Sequence, residues 1–195
     1  MVGAEYFRYQ VTGSSEAATS AASYLRGMQR LHNITGIAGL YARSLCGPLK
    51  DEPDCATARK TQVAGPCGVL PPTACPPGCS RCGLQFRNSS DPSYEGWVWK
   101  SDTSSDESAG HFFAFSIAAQ LAPTAEERAA AAKTLAQMVT YVIDEGDLNL
   151  KDWTGAATTW GRLVEGRLPT PFAHTLIIII VDIYMLLIMM LILSL

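Results

Sequence analysis

The sequence predicts a mainly α fold built from αα-hairpins, and three observations support this. Apolar residues recur every three or four positions within residues 4–33 and 105–145, which is the spacing of one helical face. Each of these segments also contains residues that end one helix and begin the next, so each predicts two antiparallel helices. Between them lies a long segment without helical periodicity that holds all six cysteines.

The first helical hairpin is expected within residues 1–45. Residues 4 to 11 form its first predicted helix, and Gly13 is placed to end that helix in the left-handed conformation. Ser14 and Ser15 can cap a second helix, which Asn33 and Gly36 end. One apolar face of this second helix is formed by Ala18, Ala21, Leu25, Met28 and His32, so we interpret His32 as a packed core residue.

Residues 46–96 form a loop rich in cysteine, proline and glycine. An even number of irregularly spaced cysteines in a non-helical segment indicates two or three disulfide bonds, whose pairing the spacing does not give. The predicted disulfide cysteines are Cys46, Cys55, Cys67, Cys75, Cys79 and Cys82.

Two metal-dependent alternatives for these cysteines are weaker. The last three have the C-x3-C-x2-C spacing that radical-SAM enzymes use for an iron–sulfur cluster, but that chemistry needs a following βα barrel, and helical hairpins follow here. A zinc site that combines the thiolates with His111 is the other alternative. We expect disulfides, and neither a metal nor a cofactor.

Two sequons agree with an oxidising compartment. Asn33 and Asn88 each begin an Asn-X-Ser/Thr sequence and are predicted glycosylation sites. The N-terminal residues lack the apolar central region of a signal peptide, so we expect the chain to begin partway into a longer protein. The predicted location is therefore the membrane or the extracellular space, with the cysteine-rich part on the oxidising side.

The second helical hairpin is expected within residues 97–165. Ser104 and Glu107 have capping-box spacing at the start of its first helix, which Pro123 ends. The predicted inward face of that helix consists of Phe112, Phe113, Ser116, Ala119 and Gln120. Thr124 and Glu127 form a second capping box, and the helix that follows runs to about Glu145. The next residues alternate around Gly155 and predict a short β-hairpin.

Residues 172–195 predict a C-terminal apolar helix that spans a membrane. The 20 residues 176–195 are almost all apolar, and at about 1.5 Å per residue they can cross a bilayer. Asp182 costs roughly 2.5–3.5 kcal/mol at mid-span, which its apolar neighbours can offset. A lipid-anchor signal and a mispredicted exon are alternative origins of this tail.

Charge excludes one class of partner. The net charge is −3 and the 15 basic residues are scattered, whereas nucleic-acid binding needs a basic patch that neutralises phosphates. We therefore expect no nucleic acid among the partners.

Three segments of the sequence resemble a known superfamily. ITGIAGLYARSL, WKSDTSSDESAGHFFAFSIAAQL and EERAAAAKTLAQMVTYVIDEGDLNLKDWTGAATTWG are similar to secreted proteins of the six-hairpin (α/α toroid) glycosidase-like superfamily. Six hairpins of about 45 residues need roughly 270 residues, more than this chain has. The resemblance therefore implies αα-hairpins of an incomplete α/α toroid, and a polysaccharide or glycan as partner.

The segment WVWKSDTSSDESAGHFF is the candidate site. Serines and acids at a helix start satisfy free amide groups, which explains part of this composition without a binding site. Glu107 and His111 are four residues apart on one helical face, where a carboxylate can orient an imidazole for acid–base chemistry. The predicted catalytic residues are Asp102, Asp106, Glu107 and His111. The predicted substrate-binding residues are Trp97, Trp99, Trp160 and Arg43.

These features predict an extracytoplasmic carbohydrate-active protein of glycosidase or lyase type, or an inactive fragment of one. Paired carboxylates would serve glycoside hydrolysis, and tryptophans would stack on the apolar faces of sugar rings. The alternative is a non-catalytic, membrane-anchored surface protein whose disulfide-rich loop binds a partner.

Overall fold

Two helical hairpins dominate the described part of the chain, which confirms the mainly α prediction. A computed structural model describes residues 1–47, 86–145, 148–153 and 155–162, all within the unit Met1–Leu163; the side chains of residues 145, 159, 160 and 162 are not described. The helices are α1 (Val2–Thr12), α2 (Ser15–Asn33), α3 (Ser105–Leu121) and α4 (Ala125–Thr140). Helix α1 packs on α2 and on α3, and α3 packs on α4.

The turn of the first hairpin forms as its residues predict. Gly13 adopts a φ of 67° after α1, and its N–H donates to the carbonyl of Tyr9. Ser14 caps α2, where its Oγ accepts a hydrogen bond from the N–H of Ala17 at 3.3 Å. These bonds satisfy backbone groups that a helix end otherwise leaves free.

Both predicted capping boxes are present in the second hairpin. Ser104 and Glu107 form the first box at the start of α3, and Thr124 and Glu127 form the second at the start of α4. Helix α3 ends two residues before Pro123, as expected. A single π-helical turn, Tyr141–Glu145, continues α4 to the predicted end.

The predicted inward face of α3 is wrong. Its buried residues are Ser108, His111, Ala114, Phe115 and Ala118, whereas the side chain of Phe113 is 56 % exposed. The sequence from Ala109 to Leu121 is apolar almost all round the helix, so periodicity gives little information about its orientation. The main core forms where this face meets the other helices, and its large buried side chains include Tyr6, Phe115 and Met138.

A three-stranded antiparallel sheet, absent from the sequence predictions, covers a second core. The strands are β1 (Ser44–Cys46), β2 (Phe86–Asn88) and β3 (Val98–Lys100), with β3 in the centre. Trp99 of β3 lies opposite Leu45 on one side and Arg87 on the other. Its indole is buried with Ile34, Leu40 and Ala42, so the sheet closes over the segment that follows α2.

The short β-hairpin is confirmed. Strand β4 (Asn149–Lys151) pairs antiparallel with β5 (Ala157–Arg162). Gly155 lies in the turn with a φ of 81°, a left-handed conformation that glycine adopts at little cost.

The disulfide prediction can be compared with one described cysteine, Cys46, which is disulfide-bonded. Five of the six predicted cysteines lie outside the described residues, and no disulfide joins two cysteines within them. Cys46, which is not a free thiol, lies in β1. The contacts that hold the described elements together are backbone pairing and side-chain packing.

The membrane-span prediction is corrected. Among the described residues no helix combines the length and the apolar character needed to cross a bilayer. The predicted span at residues 176–195 lies outside the described residues.

Candidate functional site

The predicted acidic site is a helix cap joined to an arginine. The N–H of Ser104 donates to Oε2 of Glu107 at 2.9 Å, which turns this carboxylate back toward the start of α3. Nε of Arg43 lies 3.5 Å from Oε1 of Glu107, and Nη1 lies 3.9 Å from Oδ2 of Asp102. Arg43, predicted to bind substrate, therefore lies against the two acids.

The acids do not combine with His111. Asp102 is buried with a φ of 69°, and its carbonyl accepts a hydrogen bond from Arg43 Nη1 at 2.9 Å. Asp106 is exposed, and the Ser104 hydroxyl and backbone amides lower the pKa of its carboxyl. His111 instead packs against His32, Tyr41 and Phe115. The Glu107–His111 pair is therefore not formed, because the capping box directs Glu107 toward the helix start.

The predicted tryptophan platform is not assembled. Trp99 is 1 % exposed and has no face to offer a sugar. The guanidinium carbon of Arg87 lies 5.4 Å from its ring centroid and 3.9 Å from that of Trp153. Trp97 is half-buried and meets Tyr94 edge to face at 5.8 Å. The Trp160 backbone lies in β5, and its side chain is outside the described residues.

The most unusual polar arrangement is a buried histidine pair between α2 and α3. Nε2 of His32 lies 3.0 Å from Nδ1 of His111, so one ring donates a hydrogen bond to the other. The Tyr41 ring stacks on His111 at 4.2 Å, and Phe115 meets His32 edge-on at 5.1 Å. The Tyr41 hydroxyl is hydrogen-bonded to Ser108. We call His32 and His111 the histidine pair.

Burial keeps this cluster uncharged at neutral pH. Desolvation, with repulsion from His111, lowers the pKa of His32 from 6.5 to about 3, and desolvation lowers the pKa of His111 to about 4. Desolvation raises the pKa of Tyr41 to about 12 despite the hydrogen bond to Ser108. Perturbed groups of this kind are concentrated at functional sites, although buried structural networks also produce them.

His32 also lines an open cleft on the protein surface. The cleft has a volume of about 480 Å³ and lies between the end of α2, the segment that follows it, the turn Pro92–Tyr94 and α4. We call it the Tyr94 cleft. Its described lining residues are His32, Asn33, Gly36, Ile37, Ala38, Gly39, Asp91, Ser93, Tyr94 and Gln137.

Hydrogen bonds hold both walls of the Tyr94 cleft in place. Oγ of Ser89 donates to the carbonyl of Ile34 at 2.7 Å, which ties β2 to the segment after α2. Asp91 caps the turn by accepting from the N–H of Ser93 at 2.8 Å. The hydroxyl of Thr35 donates to the carbonyl of His32 at 2.8 Å, so the end of α2 is fixed from within.

The described lining favours a neutral polar ligand. It contains two side-chain amides, one carboxylate, one hydroxyl and one tyrosine, and no lysine or arginine. Hydrogen bonds from Ser93 lower the pKa of Asp91, so its carboxyl is ionised at neutral pH. Because no cation in this lining balances that charge, an anionic ligand is disfavoured.

No metal site is found: within the described ranges, no group of three or more His, Cys, Asp or Glu side chains could hold an ion. Comparisons with known proteins add no assignment, since no family model, no curated protein and no solved structure matches the chain. The resemblance to six-hairpin glycosidases therefore stays a prediction.

Sequence reasoning missed the cleft because its residues come from distant segments. The 7 % exposure of His32 confirms that it is a packed residue. Its contact partner His111 lies 79 positions away in the sequence, so no local pattern predicts the contact. The Asp91-Pro92-Ser93-Tyr94 turn was the one local pattern that could have drawn attention to this wall. Both predicted glycosylation asparagines are exposed, and Asn33 lies on the cleft itself.

Proposed function

We propose that the protein binds a neutral carbohydrate in the Tyr94 cleft. The observation that carries this proposal is a cleft of about 480 Å³ whose described lining combines amides, a carboxylate, a hydroxyl and an aromatic ring with no lysine or arginine. Ligand pockets of small molecules usually measure about 300–1,000 Å³, so one or two sugar rings fit this volume. An extracytoplasmic location is part of the proposal, because the sequons and the cysteine content favour an oxidising compartment.

The chemistry of sugars matches this lining. Each sugar hydroxyl both donates and accepts hydrogen bonds, and the side-chain amide of Gln137 offers a donor group next to an acceptor group. The Tyr94 ring, held edge to face against Trp97, can pack on the apolar C–H face of a sugar. Gly36, Ala38 and Gly39 add small residues to the same lining, and Ile37 adds an apolar side chain.

The lining favours binding without bond cleavage. Glycoside hydrolysis uses two carboxyl groups about 5–9.5 Å apart, and Asp91 is the one carboxylate in the described lining. Its low pKa is unsuited to a general acid that must be protonated at neutral pH. Elimination from a uronic acid places a negative charge in the site, and no lysine or arginine of the described lining is there to stabilise it.

Two of the residues predicted from sequence contact residues that line the Tyr94 cleft. Trp97 supports Tyr94, and His111 reaches the cleft through His32. Asp102, Asp106, Glu107 and Arg43 do not line it. The proposal requires the two hairpins and the sheet, and it does not require a complete toroid.

Titration calorimetry with neutral oligosaccharides, chosen from a glycan array, tests this function. Tyr94→Ala and Gln137→Ala should each weaken binding about tenfold, because a buried aromatic or amide contact contributes roughly 1–2 kcal/mol. Tyr24→Ala is the matched control: Tyr24 is 40 % exposed on α2 and does not line the cleft. Its affinity should equal that of the unmodified protein.

The same sugars should be recovered intact after incubation. Binding that survives Tyr94→Ala and Gln137→Ala at full strength would rule out the Tyr94 cleft as the site. If the unmodified protein instead produces new reducing ends and the Glu107→Gln variant does not, the protein hydrolyses glycosides at the acidic start of α3. Absence of binding to every neutral saccharide at millimolar concentration would refute the function.

A further inference from the structure

We propose that the histidine pair makes the Tyr94 cleft acid-sensitive, so that protonation opens the cleft wall and releases the ligand. The inference rests on the proposed function for the identity of the ligand, but the opening of the wall is a property of the protein alone. His32 belongs to both structures, since it lines the cleft and also bonds His111 in the interior.

The hydrogen bond between the two histidines is stable only while both rings are neutral. Two ring nitrogens 3.0 Å apart need one N–H and one lone pair between them. A first added proton places a charge in a site where the rings are 7 % and 8 % exposed, and a second leaves two donors facing each other. Each step is relieved if His32 turns toward the water of the cleft.

Among the described residues that face the pair, none forms an ion pair that offsets the added charge. Asp91 lines the cleft together with His32, but its carboxylate caps the turn by accepting from the N–H of Ser93. From the segment after α2 comes Tyr41, which is neutral because its pKa is about 12, and from α3 comes the apolar ring of Phe115. Glu107 lies one helical turn before His111, but its carboxylate is engaged by Ser104 and Arg43. Among the described residues no carboxylate forms an ion pair with either ring.

The backbone links His32 to the cleft wall. The carbonyl of His32 accepts from the hydroxyl of Thr35 at 2.8 Å and from its N–H at 3.3 Å. The oxygen of the same hydroxyl lies 3.1 Å from the carbonyl oxygen of Leu40. Movement of His32 therefore disturbs the bonds that fix residues 34–40, which form one wall of the cleft.

The direction of the pH effect follows from linkage. Both folded-state pKa values lie below the ordinary 6.5, so the open form binds protons more tightly than the closed form. The closed cleft is fully favoured above pH 6.5, and this preference is progressively lost as the pH falls from 6.5 to the folded-state pKa values of about 4 and 3. At pH 4.5, a pKa for His32 of about 3 in the closed form against 6.5 in the open form shifts the closed-to-open ratio by about 10²-fold.

Hydrogen exchange of the backbone amides, corrected for intrinsic rates, tests the opening without a ligand. In the unmodified protein, protection of residues 31–41 should fall at least tenfold between pH 7 and pH 4.5, while the helix interior of α4 keeps its protection. His32→Gln with His111→Gln preserves a donor and an acceptor at each position and removes both titrating groups. In this double variant, the protection of residues 31–41 should change less than threefold between pH 7 and pH 4.5. Should the double variant not fold, His111→Gln alone should reduce the change.

Calorimetry at the two pH values then connects opening to binding. The affinity for the neutral saccharide should fall at least tenfold at pH 4.5 in the unmodified protein and less than threefold in the variant. Asp91 does not explain such a loss, because its pKa lies below the ordinary value and it stays ionised at pH 4.5. A protein that binds no saccharide at pH 7 refutes the proposed function, whereas unchanged protection at pH 4.5, or an equal change in the variant, overturns the acid switch.

Discussion

Gly39 offers the sharpest test of how the wall of the Tyr94 cleft is built. Its φ is 81°, and an added Cβ would lie 2.3 Å from the carbonyl oxygen of Gln137 and 2.4 Å from the Cβ of Tyr141. Both neighbouring atoms belong to the rigid frame of the helix, so neither can rotate away. The left-handed conformation costs a residue with a Cβ roughly 1–2 kcal/mol, and overpacking costs roughly 1–3 kcal/mol. Gly39→Ala should therefore lower the free energy of unfolding by about 2–5 kcal/mol.

Two other glycines separate the cost of the backbone conformation from the cost of overpacking. Gly13 also has a positive φ, of 67°, but an added Cβ there meets no atom within 4 Å, so Gly13→Ala should lose only the backbone part, about 1–2 kcal/mol. Gly27 lies inside α2 with open space around it, and Gly27→Ala should gain up to about 1 kcal/mol. Urea unfolding followed by circular dichroism measures all three. If Gly39→Ala costs no more than Gly13→Ala, the close approach of this wall to α4 is not real.

Two further substitutions test the helix starts. Thr124→Ala removes the Oγ1 that accepts from the N–H of Glu127 at 3.1 Å, and should lower the free energy of unfolding by about 1 kcal/mol in urea; an unchanged midpoint would contradict the cap. Arg43→Met removes ion pairs at 3.5 and 3.9 Å from a side chain that is 38 % exposed, so the loss should stay below about 1 kcal/mol, and saccharide affinity measured by calorimetry should not change. Lost binding would instead place the ligand at the acidic cluster.

The acid-rich segment before α3 shows how a capping motif can resemble an active site. Serines and carboxylates are the side chains that satisfy the free amides of a helix start, and they are also the side chains of hydrolytic chemistry. The structure places Glu107 at the cap, leaves Asp106 exposed and buries Asp102 beside Arg43. Composition alone does not separate these roles, because the direction of each carboxylate decides them.

The sequence determined the parts of this protein that depend on neighbours within about four residues. Both capping boxes, the Gly13 and Ser14 turn and the β-hairpin around Gly155 form as their local residues predict. Each depends on hydrogen bonds or backbone angles set by a few consecutive positions, so little else in the fold can override them.

The tertiary structure decided the parts that depend on distant contacts. Which face of α3 points inward could not be predicted, since apolar residues surround the helix, and packing placed His111 inward and Phe113 outward. The three-residue strands of the sheet are too short to show alternation, and they pair across as many as 56 positions, as Ser44 and Lys100 do. The His32–His111 contact and the Tyr94 cleft likewise exist only because the fold brings separate segments together, and no short-range rule carries that information.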